Sequence, residues 1–320
     1  MSISRNRTQY VAIVALIVSM LIWSVSGIAI KHALAVLPPF TLIVMRFVPS
    51  VMLMLAIGLI FRKSSLFGLQ RLELKDLPLF LIAGFCQPFM YYLLETFTYD
   101  ALSSPTIAET LLSTSPLLSP MFAAVLLRER VTRYNIIGIL ISTGGVFALT
   151  LVGSTDFSIG NYWGILLAFA AVSAAVVDSI MMRKVPLKYS SLSFIFYAQL
   201  ISLIFFIPIW WWKEGIGTVT ALDWNQLSMI NSQLSIALGC VAYLTVFASV
   251  IAFILFCFAL RKIGVTQANA FNNIRPAFTA LWMLLFFGEQ LPVGKWIGIG
   301  LIIFGLFVCQ KKTPLFNKKR

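Results

Sequence analysis

Arg275 stands in the stretch FNNIRPAF, residues 271–278, inside an apolar run long enough to cross a bilayer. An arginine at the centre of a bilayer costs about 2.5–3.5 kcal/mol on insertion scales, so it persists there only when it faces protein or water. Helical spacing puts Asn269, Asn272, Arg275 and Thr279 on one stripe, with Asn273 beside it. A guanidinium fork with flanking amides can hold a carboxylate through two parallel N–H bonds. Glu109 can hold an ammonium or carry a proton, and Glu95 is a second candidate for proton coupling. Gln87, Tyr91 and Glu95 recur at i, i+4 and i+8 on one helix face. Tyr92 and Trp23 supply an aromatic wall. The chemistry this set suits is reversible binding of a small molecule with an anionic and a cationic end. A structural alternative stands beside it: Arg275 could pair permanently with an acid. Arg46 reads as structural, paired with Glu95 or Glu109, and Asp178 as paired with Arg183 or Lys184.

The elements that carry these residues are membrane helices. The chain has 320 residues, of which 60% are hydrophobic and 11% charged. Its mean hydropathy is +0.94. Too little polar surface is available for a soluble protein of this size. Apolar runs of about 20 residues, the length a bilayer core requires, recur throughout. They predict ten spans: 10–34, 39–60, 77–99, 105–127, 134–152, 162–182, 191–212, 234–260, 266–287 and 292–309. With the N-terminus inside, most of the 24 basic residues fall in inner segments, which accounts for the net charge of +13 and puts both termini in the cytoplasm. That distribution argues against nucleic acid as a partner; the expected partners are the lipid bilayer and a small-molecule substrate. Trp163, Trp210, Trp211, Trp212, Trp282 and Trp296 gather at predicted outer helix ends, as an interfacial belt does. Cys86, Cys240, Cys257 and Cys309 lie within spans and lack metal-ligand spacing, so no metal is expected. No nucleotide-binding loop, acidic-histidine motif or cofactor fingerprint occurs, and a membrane-embedded enzyme is disfavoured.

The chain reads as a duplication. Displaced by 160 residues, Thr106 falls on Thr266, Ala108 on Ala268, Pro116 on Pro276, Glu129 on Glu289, Gly138 on Gly298 and Gly145 on Gly305. Five spans per half is an odd number, so the halves, 1–152 and 153–320, enter the membrane from opposite sides. Such inverted repeats place a substrate site near the midplane between them. Pro116 and Pro276 break the fourth and ninth spans there. Glu129 and Glu289 sit at helix starts, where an acid favours the dipole and caps free N–H groups. Gly138 and Gly298 belong to glycine-spaced helices that allow close approach, within one chain or across a dimer. Monomer and homodimer are both open.

The segments TIAETLLSTSPLLSPMFAAVLLRERVTRYNIIGILISTGGVFAL and TQANAFNNIRPAFTALWMLLFFGEQLPVGKWIGIGLIIFGLFV each resemble the repeat of the drug/metabolite transporter superfamily, EamA type. WSVSGIAIKHAL and PPFTLIVMRF resemble its opening. The resemblance implies an all-α fold of ten helices in the bacterial inner membrane. It also implies export or exchange of small metabolites, amino acids among them, with broad drug efflux and uptake of a nucleotide-like metabolite as rivals.

Overall fold

The computed structural model describes residues 2–64, 67–102, 105–129, 131–151, 162–220, 232–287 and 292–310. Every element among them is helical. The chain runs as α1 (Ser2–Leu34), α2 (Pro39–Ile60), α3 (Leu77–Gly84), α4 (Tyr91–Ala101), α5 (Pro105–Leu112), α6 (Ser115–Leu127) and α7 (Arg133–Leu151). It continues as α8 (Tyr162–Lys184), α9 (Ser191–Lys213), α10 (Gly215–Thr220), α11 (Gln233–Tyr243), α12 (Ala252–Ile263), α13 (Val265–Ala270), α14 (Arg275–Phe287) and α15 (Val293–Gln310). Among the described residues, seven helical segments are long and apolar enough to cross a membrane, and Val293–Cys309 is a shorter apolar helix.

Local sequence sets the element ends. Pro39 and Pro116 stand in the first turns of α2 and α6, where a missing N–H costs nothing. Ser190 and Ser232 cap α9 and α11, each accepting an N–H from three residues on. Four breaks interrupt otherwise continuous rods. A widened stretch, Phe85–Met90, lies between α3 and α4, with Gln87 in an extended conformation (φ −147°, ψ 118°) ahead of Pro88. Ser113 and Thr114 separate α5 from α6. A second widened stretch, Leu244–Ile251, joins α11 to α12, and a tight stretch, Phe271–Ile274, joins α13 to α14. Freed backbone groups at such breaks persist in a membrane only when buried in protein or beside a cavity.

Packing follows small residues. Helix α7 lies along α15 so closely that a Cβ on Gly145 would stand 2.7 Å from the Gly298 carbonyl oxygen. A Cβ on Gly305 would stand 2.6 Å from the Gly138 carbonyl oxygen. The glycine-spaced helices thus meet within one chain. Helix α1 packs on α11, α12 and α14; α8 packs on α3, α4 and α6; α2 lies against α9, and α6 against α13. The outer surface is apolar, with Met121, Val125, Phe286 and Phe307 exposed, as lipid-facing side chains are. Trp163, Trp211, Trp212 and Trp296 are exposed in keeping with an interfacial belt. Trp210 and Trp282 instead donate to Thr41 Oγ1 (3.0 Å) and Ser24 Oγ (2.8 Å). All four cysteines are free.

Both ends of the bundle are tied. At one, Lys188 bridges Glu73 (2.5 Å) and Asp76 (2.7 Å), and the Tyr189 hydroxyl donates to Asp76 (2.8 Å). Ser190 Oγ donates to the Gly68 carbonyl there (2.6 Å). At the other, the Glu214 carboxylate accepts the N–H groups of Phe40 (3.1 Å) and Thr41 (2.6 Å), capping α2 from α9. Glu129 also caps, but a distant helix: its Oε2 lies 3.4 Å from the Thr266 N–H at the start of α13. Its counterpart Glu289 lies outside the described residues.

Candidate functional site

Arg275 opens α14 immediately after the tight stretch. Its Nε lies 2.8 Å from Glu109 Oε1, and Glu109 Oε2 accepts the Tyr99 hydroxyl at 2.5 Å. Both members of the ion pair are buried. The guanidinium carbon stands 5.8 Å from the Trp23 ring centroid. Arg275 therefore does two things the sequence offered as alternatives: it pairs with an acid, and it forms part of a cavity wall.

That cavity lies where the breaks converge. It offers water-molecule centres about 40 Å³, room for roughly three waters. Of the candidates read from the sequence, Trp23, Gln87, Tyr91, Tyr92, Glu95, Asn269, Asn272 and Arg275 line it. Glu109 stands behind Arg275 rather than in the wall. Asn273 turns away: its amide donates to Ser142 Oγ (2.6 Å) and Thr143 Oγ1 (3.1 Å), fastening the tight stretch to α7. Asn272 donates to Ser115 Oγ (2.9 Å), which ties α6 to the same stretch. Ser179 on α8 donates to Asn269 Oδ1 (3.3 Å).

A second arginine shares the wall. Arg46 donates through Nε to Ser249 Oγ (2.7 Å), and its guanidinium carbon lies 4.3 Å from the Tyr92 ring centroid. Its Nη1 is 4.0 Å from Glu95 Oε2, a loose pairing, while Glu95 Oε1 accepts the Tyr91 hydroxyl at 2.9 Å. Two arginines and two carboxylates thus stand at or behind one wall, and their charges balance. The remaining wall is aromatic: Trp23 meets Phe253 and Phe256 edge-on or tilted, with centroids 4.8 and 5.2 Å apart. Its indole N–H donates to the Ala248 carbonyl in the widened stretch (3.1 Å). Besides Arg275 Nε, which has only its ion pair with Glu109, three polar atoms of wall residues are buried without a hydrogen-bond partner: Glu95 Oε2, Asn269 Nδ2 and Ser26 Oγ. They are one acceptor, one donor and one group that can be either.

Sequence reasoning missed Ser26, Ser179, Phe253 and Phe256 in the wall, and gave Arg46 a purely structural role. Serines and phenylalanines within apolar spans look the same whether they pack or face a cavity.

A model of the EamA-like transporter family matches residues 10–151 and again 162–309. The chain belongs to the EamA-like transporter family. It is an integral membrane protein of transporter type. Among its relatives is the uncharacterized transporter YetK of Bacillus subtilis, 26% identical over 77% of this chain and 72% of its own. A probable terminal-alkyne amino-acid exporter of Streptantibioticus cattleyicolor is 23% identical over 77% of each chain. An S-adenosylmethionine/S-adenosylhomocysteine transporter of Chlamydia trachomatis is 25% identical over 92% of this chain and 87% of its own. One crystal structure shares the fold at a TM-score of 0.72 and 20% identity, covering 93% of this chain and 96% of that one.

Proposed function

We propose that this protein is a secondary transporter that exports or exchanges amino acids, or similar amphiphilic carboxylates, by alternating access around the Arg275 cavity. The observation that carries the reading is the set of wall atoms without a hydrogen-bond partner, set among two arginines and two carboxylates. Glu95 Oε2 suits an ammonium, Asn269 Nδ2 suits a carboxylate beside Arg275 and Arg46, and Trp23, Phe253 and Phe256 suit an apolar side chain. A zwitterion satisfies both ends without adding net charge to a buried site, where an uncompensated ion is costly. The named relatives carry substrates with a common part, since a terminal-alkyne amino acid and S-adenosylmethionine both bear an α-amino-acid head group.

The architecture proposed with it is ten helices in two inverted halves, 1–152 and 153–320, both termini cytoplasmic, in a bacterial inner membrane. Mirror-paired contacts support it. Gly138 meets Gly305 while Gly145 meets Gly298, each pair being the other displaced by 160. The packing of α1 on α11, α12 and α14 is matched by that of α8 on α3, α4 and α6. The breaks recur at the same offset. Self-complementary contacts of this kind are what a two-fold relation between halves generates.

The test is counterflow in proteoliposomes, first with pooled amino acids, then with an active amino acid and its carboxamide. Arg275→Ala alone would strand Glu109, so both proteins compared carry Glu109→Gln. Loss of the Arg275 side chain should weaken amino-acid binding by about 1.5–3 kcal/mol, and the carboxamide should lose much less. Equal losses for the two ligands would remove Arg275 from carboxylate recognition. Undiminished transport of unrelated apolar drugs by the variant would favour broad efflux.

A further inference from the structure

Helix α8 serves two cavities with neighbouring side chains. Ala175 and Ser179 face the central one; Asp178 lines a second, offering water centres about 10 Å³, enough for about one water. Gln87 and Phe253 line both, so they form the partition. The partition sits at the widened stretch where Gln87 leaves helical geometry. Asp178 is 1% exposed, and its Oδ1 has no hydrogen-bond partner.

The sequence suggested Arg183 or Lys184 as its counter-ion. Arg183 instead donates to the Arg261 carbonyl, and no ion pair among the described residues includes Asp178. Among the described residues, the titratable groups close enough to feel its charge are Cys86 in the widened stretch, Tyr92 on α4 and Cys257 on α12. On α4, Glu95 is held by Tyr91 and Arg46; on α5, Glu109 is held by Arg275 and Tyr99. On α12, Arg261 donates to the Met182 and Tyr189 carbonyls, and Lys262 lies over Phe258. Helices α3, α6 and α13 carry no titratable residue. From α9 the cavity receives Phe194, Ile195, Ala198 and Gln199. The Gln199 amide is occupied by Ser50 and the Ser249 carbonyl. Among the described residues no cation pairs with Asp178 and no donor is bonded to it; the neutral acid is the form such a pocket accepts.

We propose that Asp178 is a proton-binding site that couples substrate movement to a proton gradient. In the conformation described it holds the proton. When the partition moves, the O–H bond breaks heterolytically, the electron pair stays on the carboxylate, and the proton passes to a cavity water. Gln87 transmits the change, because it lines both cavities and its amide N–H groups can turn toward the new anion. The assignment rests on the transporter reading of the central cavity. It places the proton away from Glu95 and Glu109, each of which already faces an arginine.

Two measurements on the full chain test it. The first needs no substrate: infrared pH titration of the purified protein. The wild type should show a protonated-carboxyl carbonyl band at neutral pH that Asp178→Asn removes and Asp178→Glu shifts. A band unaltered in both variants overturns the proposal. If Asp178→Asn does not fold, an unshifted band in Asp178→Glu overturns it alone. The second is flux from liposomes under an imposed pH gradient, with the twenty common amino acids pooled as the probe. The gradient should speed wild-type transport. Asp178→Asn should lose that acceleration yet keep counterflow at equal pH, and Asp178→Glu should recover it. Acceleration surviving in Asp178→Asn overturns coupling through this residue. A wild type that moves none of the pooled amino acids refutes the substrate reading, and the infrared titration then decides the proton site.

Discussion

Asn272 and Asn273 are adjacent in the chain and serve different neighbours. Asn272 lines the cavity and reaches Ser115, whereas Asn273 fastens the tight stretch to Ser142 and Thr143 on α7. Asn273→Ala should therefore lower stability by about 1–3 kcal/mol, the cost of unsatisfied buried partners, and leave substrate affinity nearly unchanged. Asn272→Ala should do the reverse, weakening counterflow with a small shift in melting temperature. Thermal melts in detergent and counterflow on both variants check the pair. The stripe through Asn269, Asn272 and Arg275 was legible because helical spacing alone brings such positions to one side. Asn273 was not separable from it, because its partners belong to another helix. The same holds for the Tyr99 hydroxyl on Glu109 and the Ser249 hydroxyl on Arg46: a long-range polar partner leaves no local trace in the sequence.

At the scale of elements, the close pair α7 and α15 and the tie at Lys188 each carry a consequence. Gly145→Leu would drive a side chain into the Gly298 backbone, so α7 and α15 must separate. The variant should melt well below the wild type, and Gly144→Leu, with nothing within 4 Å of its Cβ, should not. Around Lys188, hydrogen bonds from Lys188 and then Lys75 hold the Glu73 carboxyl below its usual range. Burial works to lower Lys188, but the hydrogen bonds it donates to Asp76 and Glu73 outweigh it and leave the amine raised. A depressed carboxylate contributes stability above its ordinary range and loses it as pH falls through the lowered value; a raised amine loses its contribution only as pH rises through the raised one. The tie should hold through neutral and mildly alkaline pH and open in acid. Amide exchange across residues 67–76, corrected for intrinsic rates, should accelerate in acid, and Lys188→Ala should show that acceleration already at neutral pH. Glu129 shows how far sequence reaches here. An acid at a helix boundary announced a cap, yet the helix it caps is α13, far along the chain.

For the whole molecule, opposite ends of the bundle should lie on opposite membrane faces. A cysteine at Lys188 should resist an impermeant thiol reagent added to intact cells, and one at Gly217 should react, in a background lacking the four native cysteines. The reverse pattern would invert the proposed topology. Apolar length and the 160-residue self-similarity make the helical class and the candidate halves readable in the sequence. The cavity's aromatic side was not readable, because Phe253 and Phe256 sit in a run where every position is apolar. The mirror pairing of Gly138 with Gly305 and Gly145 with Gly298 has an energetic corollary. In a two-half transporter, facing outward and facing inward are the same arrangement with the halves exchanged. Identical halves would make the two orientations degenerate, and the empty protein would rest equally in both. Here Arg275, Asn272 and Glu109 have Ser115, Leu112 and Asn269 as their counterparts. Every 1.4 kcal/mol or so by which those unequal contacts favour one orientation tilts the resting ratio about tenfold. If the proposed alternating access holds, the scaffold supplies two poses, and the divergence at its centre decides which one the molecule waits in.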